Sequence, residues 1–224
     1  MSAESILSAE LKKLGFKRKG KRTFYLVKDD IIGIIALERP SDILYVQYAV
    51  MPLFLPCPGF IHYSYGSRME YMYRELPIVH KDSSDELVNV FCYLVISHIK
   101  NEILPFLYKH STAASLNALV RGWLNRNRKY LFCTPEHRMS LRLYSGLCSK
   151  EYKDAIKIAN KYISSVLGEK YIMEAVKEQN IAPVRKIIAA LEEGDYDTVE
   201  QMLRTNREEN LALFAEEKRK RKAI

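Results

Sequence analysis

A chain of 224 residues with 48% hydrophobic and 28% charged side chains has the size and make-up of one large soluble domain or two small ones. Folding at this length buries about 70% of the unfolded surface, so a core forms without disulfide or metal staples, and disorder is excluded except at the ends. The formal net charge of +8 favours an acidic partner over a basic one.

The first half reads as one helix followed by strands. Ile6, Leu7, Leu11 and Leu14 recur at helical spacing, and Gly15 supplies the stop. Thr23–Val27 is aromatic and β-branched, and Asp29-Asp30 marks a turn. Ile31–Leu37 is a strongly apolar second strand, and Ile43–Val50 a third, after the Pro40-Ser41-Asp42 turn. Beyond the Pro56-Cys57-Pro58-Gly59 break, residues 60–65 alternate as a fourth strand. Residues 69–76 are either an edge strand or a loop. Short connections favour an antiparallel meander.

The second half reads as helices. Ser83 with Glu86 makes a capping box. The helix that follows, to about Leu104, is apolar nearly all round, so it is expected to be central and buried, with Pro105 ending or kinking it. Thr134-Pro135 opens a further helix. Tyr152, Ala155, Ile156, Ala159, Tyr162, Ile163 and Val166 define one face of another. Pro183 is read as opening the next, with Gly194 at its end and Asp195 capping the last. Lys150–Ala155 is echoed 44 residues later by Gly194–Val199. Two such units fall short of the roughly three that a solenoid needs, which favours two unrelated amphipathic helices.

The expected fold is therefore α+β. An N-terminal antiparallel sheet of about four strands packs on a buried helix, and a helical C-terminal region follows. Residues 1–110 form the sheet domain with its long helix, and residues 111–224 a helical region packed against it as one unit.

Cys57, Cys92, Cys133 and Cys148 show neither a C-x-x-C pair nor a ligand-spaced histidine, so the expectation is reduced thiols and no metal site. The start, Met1-Ser2-Ala3-Glu4-Ser5, has no signal-peptide pattern. The longest apolar run, Leu87–Ile96, is too short and too polar to span a bilayer. A cytoplasmic protein without membrane contact is expected.

The partner-directed signal is charge. Lys12, Lys13, Lys17, Arg18, Lys19, Lys21, Arg22 and Lys28 span 17 positions with no acidic residue before Asp29, and they equal the whole net excess. Within this run, Lys17, Arg18, Lys19, Lys21 and Arg22 are candidate binding residues, flanked by Phe16, Phe24 and Tyr25. Cations with aromatic neighbours suit phosphates and stacked bases. They suit an acidic protein partner equally, and a solvated loop is the plainer reading. Arg121, Arg126, Arg128 and Lys129 make a second cluster beside Trp123 and Tyr130, from which Arg126 and Arg128 join the candidates. The 15 tyrosines crowd the sheet. Tyr63 and Tyr65 share a face in an extended segment and are candidate contact residues, since tyrosine offers large area and a polar tip. The alternative is that these rings pack beneath the helices. The basic run at 218–222 is explained by the negative end of a helix dipole.

No catalytic residue and no cofactor is expected. The five histidines are scattered, and hydrolase, P-loop and dinucleotide motifs are absent. Cys133 four residues before His137 is a weak nucleophilic pairing, because a helix starts between them. Glu70, Glu75, Asp82 and Asp85 are accounted for by the positive end of the following helix.

The arrangement Leu11, Gly15-Phe16, Lys19-Gly20 and Phe24-Tyr25 resembles a bacterial family known only as a domain of unknown function, whose members open with a short helix, a G-F-x-[KR]-x-G turn and an F-[YW] strand. The resemblance covers residues 1–50 and extends faintly to the Gly194-Asp195-Tyr196 turn. It implies a short helix, a small antiparallel sheet and late helices, and carries no activity. The expectation is a non-enzymatic, protein-binding module, regulatory or toxin-neutralising, with an acidic protein partner. A nucleic-acid-binding protein is the alternative, and an enzyme whose residues converge from distant positions is the second.

Overall fold

The structure, a computed structural model, describes residues 2–124, 126–127 and 135–215. It is α+β: a five-stranded antiparallel sheet at the N-terminus, followed by helices. Among the described residues the chain gathers into two compact units. Unit 1 holds residues 2–51, 65–111 and 214–215, and unit 2 holds residues 52–64 and 112–213. The division falls after residue 111, close to the expected boundary at residue 110, with residues 52–64 grouped in unit 2 and residues 214–215 in unit 1.

Unit 1 opens with helix α1 (Ala3–Lys13), capped by Ser2, whose hydroxyl accepts from Ser5 N at 3.3 Å. Ala3, Leu7 and Leu11 recur four apart and are buried, the stripe an amphipathic helix requires. The helix ends in a Schellman turn: Phe16 N donates to Leu11 O and Gly15 N to Lys12 O, both at 3.0 Å. Gly15 carries the positive φ of 89° that this turn demands.

The strands run in sequence order: β1 (Lys17–Lys19), β2 (Thr23–Lys28), β3 (Ile31–Glu38), β4 (Tyr45–Pro52) and β5 (Tyr65–Arg68). β1 was not foreseen. It pairs with β2 through Lys17 opposite Tyr25 and Lys19 opposite Thr23. β3 is buried along almost its whole length, as the continuous apolar run of a strand covered on both faces implies. The expected strand over residues 60–65 does not form; only Tyr65 belongs to a strand. Residues 69–76 contain a short helix, α2 (Met69–Met72), in place of the expected edge strand or loop.

The long helix α3 (Asp85–His98) is capped by Ser84, which accepts from Leu87 N at 3.3 Å. The expected cap, Ser83, instead accepts from His80 N at 2.9 Å. Val88, Phe91, Cys92 and Val95 are buried, while Val90 and Tyr93 are exposed, so one face is covered rather than the whole circumference. The helix also outruns its expected end. A π-helical turn (Ile99–Ile103) leads into α4 (Leu104–Lys109). The wide turn before it relieves the clash that Pro105 makes with the preceding turn. Residues 85–109 thus form 25 helical residues, long and apolar enough by length and composition to cross a membrane. Within unit 1 this helix packs as a core element: a Cβ added at Gly33 on β3 would lie 2.6 Å from Leu107 Cδ1.

In unit 2, residues 53–64 form an irregular strap, and the rest is helical. α5 (Ala113–Leu119) starts with a reciprocal Thr112/Ser115 capping box and runs into a second π-helical turn (Val120–Leu124). α6 (Pro135–Cys148), α7 (Tyr152–Gly168), α8 (Glu174–Glu193) and α9 (Tyr196–Ala215) follow. Pro183 does not open a helix; it lies inside α8. Ile181, Val184, Ile187 and Leu191 form that helix's buried stripe, and burial of this face outweighs the lost backbone bond. Gly194 ends α8 at φ 76°, and Asp195 caps α9 by accepting from Thr198 N at 3.1 Å. Thr134, the expected cap of α6, lies outside the described residues.

The sequence echo is a structural one at the turns. Lys150 and Gly194 both adopt positive φ. The tyrosines two residues later, Tyr152 and Tyr196, each begin a helix and stack on one another, centroids 4.8 Å apart and planes at 14°.

Candidate functional site

The cationic run is held on the β1–β2 hairpin of unit 1. Gly20, at φ 65°, makes the reversal, and β1 is an edge strand. Lys17, Arg18, Lys21 and Arg22 are exposed and Lys19 is half-buried. Charged side chains on an edge strand discourage sheet-to-sheet pairing. Arg18 donates to Lys21 O at 2.7 Å, and Lys19 Nζ stands 5.3 Å from the centre of the Phe214 ring, a cation–π distance. Lys17 and Lys21 make no ion pair among the described residues.

Folding dilutes the run. Lys13 pairs with Glu10 at 2.6 Å and Lys28 with Asp29 at 3.2 Å, while Arg22 comes within 3.9 Å of Glu4. It also removes the aromatic neighbours. Phe16 is 2% exposed and Phe24 1%, and Tyr25 packs on Phe214 with centroids 4.8 Å apart. Of the three flanking rings, only Tyr25 keeps partial exposure.

The other candidates disperse. Tyr65 is a correction: it is 0% exposed and its hydroxyl is buried without a hydrogen-bond partner. Its ring meets Phe106 edge-on at 6.4 Å, and burial drives its pKa upward. It is a core residue rather than a contact surface. Tyr63 is half-buried and belongs to unit 2, apart from Tyr65 in unit 1. Arg126 is exposed. Arg128, Lys129 and Tyr130 lie outside the described residues, as do Cys133 and the basic run at 218–222. Arg121 is neutralised, pairing with Glu151 at 2.5 Å and also with Asp154.

Sequence reasoning missed one convergence. In unit 2, His62 of the strap and His137 of α6 meet with ring centroids 6.0 Å apart, nearly perpendicular. Ser64 Oγ lies 3.1 Å from His137 Nε2. Burial holds both imidazoles in the neutral form; the His137 pKa falls to about 4, burial being the main cause and His62 adding to it. The His62 pKa is lowered by burial, against the opposing effect of the Phe60 backbone, and its Nδ1 makes no hydrogen bond of good geometry. Ser64 is fully buried, so the Ser64–His137 contact orients the imidazole and presents no nucleophile to a substrate. The carboxylates flanking α2 and α3 have structural duties. Glu70 accepts from Val46 N at 2.9 Å, and Glu75 meets His98 Nε2 at 2.9 Å. No group of three or more metal-ligating side chains occurs among the described residues.

No family model, curated protein or solved structure matches this chain.

Proposed function

We propose that this chain is a cytosolic protein-binding module whose β1–β2 hairpin docks an acidic protein partner. The carrying observation is a pair of facts at one place: exposed cations on an edge hairpin, and aromatic neighbours that are buried (Phe16, Phe24) or half-buried against Phe214 (Tyr25). Single-stranded nucleic acid draws much of its affinity from base stacking, about 1–3 kcal/mol per base, and of the hairpin's flanking rings only the half-buried Tyr25, packed on Phe214, keeps any exposure. A carboxylate-rich peptide needs only the cations, and the open edge of β1 leaves backbone groups for an added strand. Charge complementarity of this kind sets association rate and partner choice more than affinity.

The test is a charge reversal of Lys17, Lys21 and Arg22 to glutamate in the full-length protein. Binding of an oligoglutamate peptide and of a single-stranded oligonucleotide is measured for parent and variant at two salt concentrations. The reading expects the parent to bind the peptide more tightly than the oligonucleotide and the variant to lose the peptide. Oligonucleotide binding that is tighter, and that falls steeply with salt, replaces the reading with the nucleic-acid one. Retention of the peptide by the variant removes the hairpin from it.

A further inference from the structure

Unit 2 contains a cavity of about 720 Å³, inside the range of about 300–1,000 Å³ typical of small-molecule sites. The strap forms one wall, and α6, α7 and α8 form the others. Leu55, Phe60, Leu143 and Val184 supply apolar surface, and Ser140, Tyr162, Gln179 and Asn180 supply uncharged polar ends. His62 and His137 also line it. Among the described lining residues there is no aspartate, glutamate, lysine or arginine, although such residues make up 28% of the chain.

One feature of the wall is suited to a hydrogen-bonding ligand. His62 Nδ1 is buried without a well-formed hydrogen bond, although the Phe60 backbone acts on the ring, so a ligand atom placed there would find a polar partner. Burial acts in one sense on three groups around the space: it lowers the pKa of His62 and His137 and raises that of Tyr144, to which Tyr162 adds.

We infer that this cavity binds an uncharged small molecule with a flat apolar body and a neutral edge that both donates and accepts hydrogen bonds. A charged head group would enter a space that holds no counter-charge among the described residues. An amide or a neutral heterocycle would meet the amides and imidazoles, while its ring lay against Leu55, Phe60, Leu143 and Val184.

The test uses three ligands of one shape, benzamide, benzoate and benzamidine, which carry a neutral, a negative and a positive head. Each is titrated into the full-length protein, and the ring-proton resonances of His62 and His137 are followed. Benzamide is expected to move both resonances and to bind at least about tenfold more tightly than either charged analogue, a difference of about 1.4 kcal/mol. Silence from all three at saturating concentration overturns the inference, and so does equal or tighter binding of benzoate or benzamidine. Ser140→Trp, which puts an indole into the space, is expected to weaken the benzamide response strongly, and Tyr162→Phe, which removes one polar end and keeps the volume, to weaken it several-fold. If Ser140→Trp fails to fold, the three-ligand comparison on the parent protein still decides.

Discussion

Asn210 Nδ2 donates to the Leu55 carbonyl at 2.7 Å, tying α9 to a segment 155 residues earlier in the chain. The same nitrogen reaches Leu53 O at 2.9 Å, and Asn206 Nδ2 reaches Phe54 O at 2.9 Å. The strap has no strand or helix to satisfy its backbone, so these amides stand in for a ladder. Asn210→Ala leaves two buried carbonyls unmet and is expected to destabilise unit 2 by roughly 3 kcal/mol. Asn206→Ala, which leaves one, is expected to cost about half of that. Urea unfolding of both variants checks the order; equal, small effects would show that water replaces the amides.

Gly33 and Leu107 make a tight fit between β3 and α4. A methyl group at Gly33 would lie 2.6 Å from Leu107 Cδ1, and Leu107 is itself buried. Gly33→Ala should therefore destabilise by about 1–3 kcal/mol through overpacking. Leu107→Ala alone leaves a void, at about 2–5 kcal/mol. Together the two changes should cost less than their sum, because the added methyl occupies part of the space vacated. A double-mutant cycle with additive energies would place the strain elsewhere.

His137 links stability of the native fold to acidity. Its pKa falls from the ordinary 6.5 to about 4 in the folded protein. The unfolded chain therefore takes up a proton that the native state refuses. The contribution is complete above the ordinary value and is lost as pH falls toward the folded value, at up to about 1.4 kcal/mol per pH unit. The downward shift of His62 acts in the same direction. His137→Gln keeps a polar partner for Ser64 and removes the titration, so its stability should decline less than that of the parent between about pH 7 and about pH 5. Parallel decline in urea titrations would mean that His137 contributes nothing in this range and that other groups govern it.

Gly15 ends α1 at a backbone angle that an L side chain adopts with difficulty. Gly15→Ala is expected to cost about 1 kcal/mol, whereas Gly168→Ala, with open space around it and no positive φ, should be neutral or mildly stabilising. Paired denaturation curves separate a conformational effect from general intolerance to the added methyl.

Local chemistry made much of the fold readable. The Gly15-Phe16 stop, the Asp29-Asp30 turn between β2 and β3, and the Asp195 cap are each fixed by residues within one turn of themselves. Where the outcome depends on distant partners, the sequence misled. Lys17–Lys19 has no strand-like composition and becomes a strand because β2 offers it an edge. The alternation over residues 60–65 looks like a strand, but Pro56, Pro58 and the positive φ of Gly59 lead into a strap held by side chains. Tyr65 shows that alternation identifies a face without saying what covers it. The cationic run was legible as a count, yet Glu4, Glu10 and Asp29 temper it only after folding. His62 and His137 are 75 positions apart in the sequence, and nothing local announces their meeting.

The strap also sets a timetable. Leu53, Phe54 and Leu55 are buried, but the side chains that close over their backbone emerge from the ribosome only with Asn206 and Asn210, the latter 155 residues after Leu55. At roughly 5–20 residues per second, the nascent polypeptide carries this apolar stretch unsealed for many seconds. A chain cut short before Asn206 would display it permanently, to chaperones or to other unfinished copies.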